Sequence, residues 1–523
     1  MKKFIKSNEI SELISKGTTI YTCGFGLAGF AEEIAIEIEK SFLETGNPRD
    51  LTIYHSTGTG NSNNKGIAHF AHKGLVKRIV CGHFGASGPE IGKMLMSNDI
   101  EGYSLPQGVL AIMPREIAGR RPGVITKVGL GTFVDPRLEG GKINALTKTK
   151  EDLVEVMVID NEEWLRYKTP KVDIAIIRGT TADEHGNISI EKDGILVETL
   201  SVAQAAKACG GIVIAQVEYV AKAGTLHPKK VRVPGIMVDY VYVAKPENSY
   251  QTQGTYFNPV FCGDLKIPVE SIPAMSLSER KIICRRAAIE LRDHDIVNIG
   301  IGMPEGISAV AAEEKVFDKI TLTSEGGGIG GVLASGLDFA NAINPEAILE
   351  QPYQFDFYDG GGIDVAFLGL AQTDKKGNVN VSKFHNKVAG PGGFINITQS
   401  AKRVVFCGTF TANGLEVEVL GGKLNIKREG TMKKFIEAVE QITFSGDYSR
   451  SIRQQVIYVT ERAVFELTDS GLELLEIAPG IDLEHDVLRL MDFKPVINNV
   501  KLMPHEIFQE SWNGLSEWIA RHN

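Results

Sequence analysis

The apolar positions at the start of the chain predict a regular order of structural elements. Residues 18–23 are apolar or β-branched and predict a strand, Gly24-Phe-Gly-Leu-Ala-Gly29 predicts a turn, and residues 31–42 have the composition of a helix. A second strand is predicted over Leu51–His55, and it runs into Ser56-Thr-Gly-Thr-Gly60. This order of strand, glycine turn, helix and strand is typical of a parallel α/β sheet.

The same order returns after residue 275. Residues 295–299 predict a strand, Gly300-Ile-Gly-Met-Pro304 a turn, residues 305–315 a helix, and residues 320–324 a strand that ends beside Glu325. The chain therefore contains the same pattern twice, once in each half.

Longer matches indicate an internal duplication. Asp173–Asn187 parallels Asp364–Asn378 in one register, and Gln204–Lys207 parallels Gln399–Lys402. We predict two related open α/β domains, an N-terminal one over residues 1–245 and a C-terminal one over residues 276–523. The linker, residues 246–275, lacks apolar periodicity.

Composition and charge exclude several classes of protein. The chain has 523 residues and a formal net charge of −9 without an extended basic run, so we predict no binding of nucleic acid. No segment has the length of a membrane span and no apolar secretion signal follows Met1, which predicts a cytoplasmic protein without membrane contact. The six cysteines include no CxxC pair, so neither a disulfide framework nor a metal site is predicted.

Glu325 is an acid at a strand end whose counterpart in the first half is Thr57. Five of the six residues after Glu325 are glycine, which lets a substrate or another backbone approach closely and leaves amide N–H groups free. Two interpretations stay open. Glu325 is either a solvated loop residue or a carboxylate nucleophile at an interface between the duplicated domains.

The glycine turns also permit a dinucleotide-binding interpretation. Gly24, Gly26 and Gly29 fit the Rossmann fingerprint, but the following strand does not end in the acid that would hold the ribose. The second half has an acid, Glu325, but its turn is Gly300-x-Gly302-x-Pro304, without the third glycine. An NAD-dependent oxidoreductase is therefore a distant alternative.

Two glycine segments could instead hold a carbonyl or an anion. The amides of Gly300–Pro304 precede a predicted helix, whose start carries a partial positive charge. The segment Val388-Ala-Gly-Pro-Gly-Gly-Phe394 is either a plain β-to-α turn or an oxyanion hole, because acyl transfer needs backbone N–H donors near the reacting carbonyl.

Taken together, these motifs resemble the family I coenzyme A transferases along nearly the whole chain. The resemblance rests on motifs in matching order, which are Cys23–Gly29, Leu105–Gly108, Val233–Ile236, Asn298–Pro304, Ser324–Gly326, the Gly390 loop and Met491–Pro495. It implies the family's open α/β fold, of NagB/RpiA-like type, in each half. It also implies that the α and β subunits of heteromeric members are fused here.

The resemblance assigns roles to individual residues. Glu325 would be the nucleophile that becomes a glutamyl-CoA thioester, and Gly390 would donate its amide to the oxyanion. Gln107 would face the acyl group. The remaining expected contacts are Gly24, Gly26, Gly392 and Gly393 for the substrate, and Gly300, Ile301, Gly302, Met303 and Pro304 for CoA. No permanently bound cofactor or metal is implied, because coenzyme A is a cosubstrate.

Departures from the family pattern point to one branch. Thr323 and Gly326 flank the Ser-Glu pair where the family usually has His or Gln and Asn, and Cys23 and Phe30 replace the usual residues of the first signature. These variants resemble the acetate or propionate CoA-transferase branch, with a short-chain acyl-CoA and a free carboxylate as substrates. A homo-oligomer, dimer or tetramer, is implied. Acyl-CoA hydrolysis through the same glutamate and CoA binding without chemistry stay open as alternatives.

Overall fold

The computed structural model describes residues 3–268, 274–384 and 387–521, and each half of the chain forms its own sheet. The first sheet consists of β1 (Phe4–Ile5), β2 (Thr19–Thr22), β3 (Leu51–His55), β4 (Val76–Cys81), β5 (Glu101–Ser104), β6 (Ile174–Arg178), β7 (Ile212–Val217) and β8 (Tyr240–Val243). Its strand order is β1-β8-β7-β6-β2-β3-β4-β5. Strand β6 is buried along its whole length, as expected for a parallel strand covered on both faces.

The second sheet has a parallel run of the same kind, with antiparallel strands on either side of it. It consists of β9 (Asp295–Ile299), β10 (Ile320–Thr323), β11 (Gly328–Ile329), β12 (Ala347–Ile348), β13 (Val365–Gly369), β14 (Arg403–Cys407), β15 (Gln455–Val459), β16 (Ala463–Thr468), β17 (Gly471–Ile477) and β18 (Lys501–Leu502). Its strand order is β12-β11-β10-β9-β13-β14-β15-β16-β17-β18.

The predicted fold class, two related α/β domains, is confirmed by the strand order. The parallel run β8-β7-β6-β2-β3 of the first sheet corresponds to β15-β14-β13-β9-β10 of the second. Matched side chains also repeat their contacts. Asp173 Oδ2 accepts a hydrogen bond from the Thr19 N–H at 3.1 Å, and Asp364 Oδ2 accepts one from the Ile296 N–H at 2.9 Å. The exact domain boundaries stay a prediction.

Helices connect and cover the strands. The α-helices of the described residues are α1 (Ser7–Glu12), α2 (Glu32–Thr45), α3 (Pro89–Met96), α4 (Gln107–Ala118), α5 (Ala145–Lys148), α6 (Thr199–Ala208), α7 (Glu279–Ala288), α8 (Gly306–Glu313), α9 (Gln351–Asp359), α10 (Phe394–Ser400), α11 (Gly446–Ser451) and α12 (Leu515–Arg521). The two halves meet where α4 packs against α9. No helix in residues 3–268, 274–384 or 387–521 has the length and apolar character needed to cross a membrane.

Smaller sheets decorate both halves. A four-stranded sheet contains Tyr219–Ala221, Thr181–Asp183, Ile188–Ser189 and Val231–Val233, and a three-stranded one contains Val124–Thr126, Val154–Ile159 and Glu162–Tyr167. Two-stranded pairs join Val332–Leu333 to Ala342–Ile343, Gln372–Thr373 to Val379–Asn380, Lys383–Phe384 to Lys387–Val388, Thr411–Ala412 to Met432–Lys433, and Glu416–Leu420 to Lys423–Arg428.

The predicted linker does more than connect the halves. Its residues 269–273 lie outside the described residues, but the part before them packs between the two sheets. Gln253 Nε2 donates to the Gly60 carbonyl at 2.9 Å, and Thr252 Oγ1 donates to Asp338 Oδ1 at 2.5 Å. The linker therefore bridges the two halves and supplies part of the wall of the cavity between them.

Candidate active site

A cavity of about 490 Å³ lies between the two halves, at the carboxyl ends of their parallel strands. Ligands of open α/β sheets bind at this edge because the strand-to-helix turns converge there. The first half contributes Gly26, Gly58, His83 and Gln107 to its wall, among others. The second half contributes Asn298, Gly300, Ile301, Glu325, Gly390, Gly392 and Gly393, among others.

Glu325 lies two residues after the end of β10 and enters the cavity from a tight turn. Ser324 organises this turn, since its Oγ donates to the Ala340 carbonyl at 2.6 Å and accepts from the Gly326 N–H at 3.1 Å. At Gly327, a Cβ would lie 2.0 Å from the Leu349 carbonyl oxygen, so a side chain there would push the loop apart. The glycines after Glu325 are therefore needed for the turn that presents the carboxylate.

The Glu325 carboxylate is held without a counter-charge. Among the described residues, none forms a hydrogen bond or an ion pair with it, and burial raises the pKa of Glu325 to about 7. Its counterpart Thr57 is fully packed, with 1% of its surface exposed, and its hydroxyl donates to the Gly24 carbonyl. The duplicated halves therefore place a potential nucleophile at only one of two equivalent strand ends.

The glycine loop before α10 contacts Glu325 directly. A Cβ at Gly393 would lie 2.0 Å from Glu325 Oε2, so only glycine permits this approach. The Gly390 N–H donates to the Ser382 carbonyl at 2.9 Å, and the Gly392 N–H donates to the Gly82 carbonyl at 2.8 Å. The amide predicted to bind the oxyanion, that of Gly390, is therefore already occupied in this conformation.

The free amide of this loop is that of Gly393. No acceptor within the described part of the chain takes its N–H, and Pro391 has no N–H to offer. Gly393 is thus the better placed of the predicted loop residues to donate toward a group bound next to Glu325.

Gln107 is the first residue of α4 and is fastened to the same loop. Its N–H donates to the Gly392 carbonyl at 2.9 Å, and the next N–H, that of Gly108, donates to Asn396 Oδ1 at 3.0 Å. Asn396 in turn donates to the Asp359 carboxylate at 3.0 and 3.1 Å. The Gln107 Nε2 is buried in the cavity wall and has no acceptor among the described residues. It is therefore an unpaired donor in the cavity wall.

The other predicted contact residues divide into two groups. Gly26, Gly300 and Ile301 line the cavity, whereas Gly24, Gly302 and Pro304 do not. A Cβ at Gly24 would meet Thr59 Cγ2 at 2.7 Å, so this glycine serves packing within the first half. Met303 lines a smaller adjoining pocket.

Several polar residues of the cavity were not predicted from the sequence, and Asn298 and His83 are two of them. Asn298 Nδ2 donates to the Tyr358 hydroxyl at 3.2 Å, which leaves Oδ1 buried and without a partner in the described residues. Burial lowers the pKa of His83 to about 4, so its imidazole is neutral at physiological pH. Asn298 could have been found from its position at a strand end directly before Gly300, but no local pattern marks His83.

This arrangement is suited to covalent catalysis by a carboxylate. A desolvated carboxylate is a stronger nucleophile than one in water, and Gln107 Nε2 and the Gly393 N–H are unused donors in the wall of the same cavity. No cluster of His, Cys, Asp and Glu side chains that could hold a metal ion occurs in residues 3–268, 274–384 and 387–521.

Known proteins share both the sequence and the fold. The family model for coenzyme A transferase matches residues 6–244. Caffeate CoA-transferase of Acetobacterium woodii is 49% identical over 100% of both chains, and acetate CoA-transferase YdiF of Escherichia coli O157:H7 is 43% identical over 99% of this chain and 97% of its own.

The crystal structure of E. coli O157:H7 acyl-CoA transferase YdiF in a thioester complex with CoA superimposes with a TM-score of 0.90. The two chains are 42% identical, and the match covers 98% of this chain and 97% of the other. With this similarity over the whole length, and with a cavity suited to a covalent carboxylate, the chain belongs to the coenzyme A transferase family and is an enzyme of the CoA-transferase type.

Proposed function

We propose that the protein transfers CoA between a short-chain acyl-CoA and a free carboxylate such as acetate or propionate, with Glu325 as the covalent carrier. One observation carries this proposal. Glu325 lies in the cavity without a hydrogen-bond partner among the described residues, in a turn built from glycines, with its Oε2 against Gly393. The side chain is only half-buried, because it faces the cavity, and a carboxylate enclosed in this way for a structural role alone would be paired.

The reaction proceeds in two symmetrical halves. The Glu325 carboxylate attacks the thioester carbonyl of the acyl-CoA, which forms an acyl-glutamyl anhydride and releases CoA thiolate. The thiolate attacks the glutamyl carbonyl of the anhydride, which forms the glutamyl-CoA thioester and releases the first carboxylate. A second carboxylate then runs the same steps in reverse and leaves as its CoA thioester.

Each attack places negative charge on a carbonyl oxygen, and the cavity holds donors for it. The Gly393 N–H and Gln107 Nε2 have no partner of their own in the described residues. Preorganised donors of this kind are worth about 10²–10³ in rate each. That the YdiF structure contains a thioester complex with CoA supports the same type of intermediate here.

The cavity wall favours transfer over hydrolysis. Apolar side chains that include Phe25, Leu333, Phe339, Phe394 and Ile397 surround the site. Such a wall disfavours the water that would cleave the anhydride or the thioester. The acyl-CoA hydrolase alternative needs a water position near Glu325, and the lining gives no specific support for one.

The identity of the preferred carboxylic acid is a separate part of the proposal. Relatives named for caffeate and for acetate are similar to this chain over its full length, and the aromatic wall residues Phe25 and Phe339 would accept an aromatic acid as well as a short one. A panel of acceptors from acetate to a phenylpropenoate distinguishes these cases. The cytoplasmic location stays a prediction from the sequence, and the homo-oligomeric state stays a prediction from the family resemblance.

Mass spectrometry of the intact enzyme tests the proposed function. After incubation with acetyl-CoA, we expect one CoA adduct per chain on the peptide that contains Glu325, and we expect it to disappear when acetate is added. Reduction with borohydride before digestion marks the thioester-bearing residue. An adduct on another residue, or full transferase activity without an adduct, would contradict the proposed carrier.

The pH dependence of adduct formation follows from the raised pKa of Glu325, which is about 7. Only the ionised carboxylate attacks, so the rate of adduct formation at low acetyl-CoA concentration should fall about tenfold per pH unit below pH 7 and level off above it. Quench-flow experiments at pH 5.5–8.5 measure adduct formation separately from product release. A rate that stays constant down to pH 5.5 would contradict the assignment.

A further inference from the structure

A second pocket of about 220 Å³ adjoins the cavity, with which it shares Gly369 and Val381. It lies at the carboxyl ends of β13 and β14, and its lining includes Met303, Gly408 and Lys434. Parallel strands end at this edge, where open α/β sheets bind ligands. The proposed catalytic steps do not use this pocket.

Among the described residues, Lys434 is the one cation in its lining, and it is buried. Its exposed fraction is 7%, and no carboxylate in the described part of the chain lies within ion-pair distance of it. The nearest influence is Glu461, whose two oxygens already accept from Arg462 Nε at 2.7 Å and from the Phe410 N–H at 2.8 Å. A buried ammonium without a partner is costly, which indicates that a ligand supplies the acceptor.

The side chain of Lys434 is held at the pocket by its surroundings. The backbone carbonyl of Lys434 accepts a hydrogen bond from the Thr373 N–H at 2.8 Å, which fixes the main chain beside the pocket. A Cβ at Gly408 would lie 2.8 Å from Lys434 Nζ, so this glycine makes room for the ammonium group. Burial lowers the pKa of Lys434 to about 8, and the group is therefore still mostly cationic at neutral pH.

We propose that Lys434 binds the pantetheine arm of CoA by donating a charge-assisted hydrogen bond to one of its carbonyl or hydroxyl oxygens. The inference rests on the proposed function, since it takes CoA as the ligand. Two observations select this part of CoA. The pocket opens into the cavity that holds Glu325, where the thiol end must lie, and its volume is below the roughly 300 Å³ at which pockets for larger ligands begin. It therefore fits a chain and not a nucleotide.

Lys434→Met tests this role, and Lys433→Met is its matched control. Lys433 is the preceding residue in the chain, but it is exposed and paired with Asp492 at 2.8 Å. Both substitutions are made in a Glu325→Ala background, so that binding is measured without any covalent step. Dissociation constants are then determined by calorimetry for CoA, dephospho-CoA and pantetheine.

We expect Lys434→Met to weaken the binding of all three ligands by the same factor, about tenfold or more, as for other hydrogen bonds to a charged group. Lys433→Met should leave all three unchanged. In the Glu325-containing enzyme, Lys434→Met should raise KM for the acyl-CoA and leave KM for the carboxylate unchanged. Thermal unfolding should occur at the same or a higher temperature, because the variant no longer buries an unpaired charge.

Three results would overturn the proposal. If Lys434→Met and Lys433→Met bind CoA with the same dissociation constant, Lys434 does not contact CoA. If Lys434→Met lowers the affinity for CoA but not for dephospho-CoA, Lys434 contacts the 3′-phosphate. If it lowers the affinity for both CoA and dephospho-CoA but not for pantetheine, Lys434 contacts the diphosphate. Because these measurements need no chemistry at Glu325, they remain decisive even when the adduct on Glu325 is not found.

Discussion

Glu325→Gln is expected to lower the transfer of CoA from acetyl-CoA to a carboxylate by at least about 10⁴-fold, because the amide cannot form the anhydride or the thioester. The CoA adduct should be absent from the mass spectrum. Glu325→Asp should also be severely impaired, since removing one methylene withdraws the attacking oxygen from the substrate carbonyl, and near-attack geometry tolerates little displacement. Steady-state rates and adduct yields measure both effects.

The control for this prediction is Glu346→Gln. Glu346 is an exposed acid further along the segment after Glu325, and its substitution should leave the rate within about twofold of the original enzyme. Transfer by Glu325→Gln at more than a few per cent of the original rate would contradict a covalent role for this carboxylate.

Loss of folding is a separate explanation for a loss of activity, and thermal unfolding tests it, because the raised pKa of Glu325 predicts the direction in which stability changes. A carboxyl whose pKa rises from 4.5 to about 7 on folding binds its proton more tightly in the native state. Its contribution to stability is therefore fully present below about pH 4.5 and declines as the pH rises to about 7. Glu325→Gln lacks this decline, so at pH 8 it should unfold at a higher temperature than the original enzyme.

Gly393→Ala is expected to lower kcat by about 10²–10³-fold, because the new methyl group takes the place of the Glu325 carboxylate and disturbs the adjacent amide. The ideal Cβ would lie 2.0 Å from Glu325 Oε2. The backbone of Gly393 has φ −79°, which any residue adopts, so strain does not explain a loss. Rapid-quench measurement of adduct formation separates this effect from acyl-CoA binding.

A double variant, Glu325→Ala with Gly393→Ala, tests whether the steric clash at residue 393 is with the Glu325 side chain. When Glu325 is alanine, the contact at Gly393 disappears, and the second substitution should then cost little stability in thermal unfolding. Gly92→Ala is the matched control, because a Cβ there meets no atom within 4 Å and the residue lies in α3. Wild-type kcat for Gly393→Ala would contradict the close approach on which the proposed mechanism depends.

The main elements of the fold could be predicted from local patterns. The apolar runs and glycine turns around β2, β3, β9 and β10 mark parallel strands, because strands buried on both faces need continuous apolar residues. The matching segments that begin at Asp173 and Asp364 predict a duplication, and both aspartates make the same contact with a neighbouring strand.

The hydrogen bonds within the glycine loop could not be predicted in the same way. Gly390, Gly392 and Gly393 are equivalent by sequence, since all three can adopt open conformations and offer an N–H. Their difference depends on acceptors from elsewhere, Ser382 for Gly390 and Gly82 of the other half for Gly392. Only the packing of the two halves shows that the Gly393 amide has no acceptor in the described part of the chain.

The sequence by itself determined that the chain consists of two related α/β units and that only one of two equivalent strand ends has an acid, because strands, turns and their residue types are local properties. The tertiary structure decided which groups meet that acid. Gln107 and Gly393 are distant in sequence, and their partners depend on how α4 and the loop before α10 pack across the interface. Burial, which raises the pKa of Glu325 and leaves Lys434 without a partner among the described residues, is likewise a property of the folded chain.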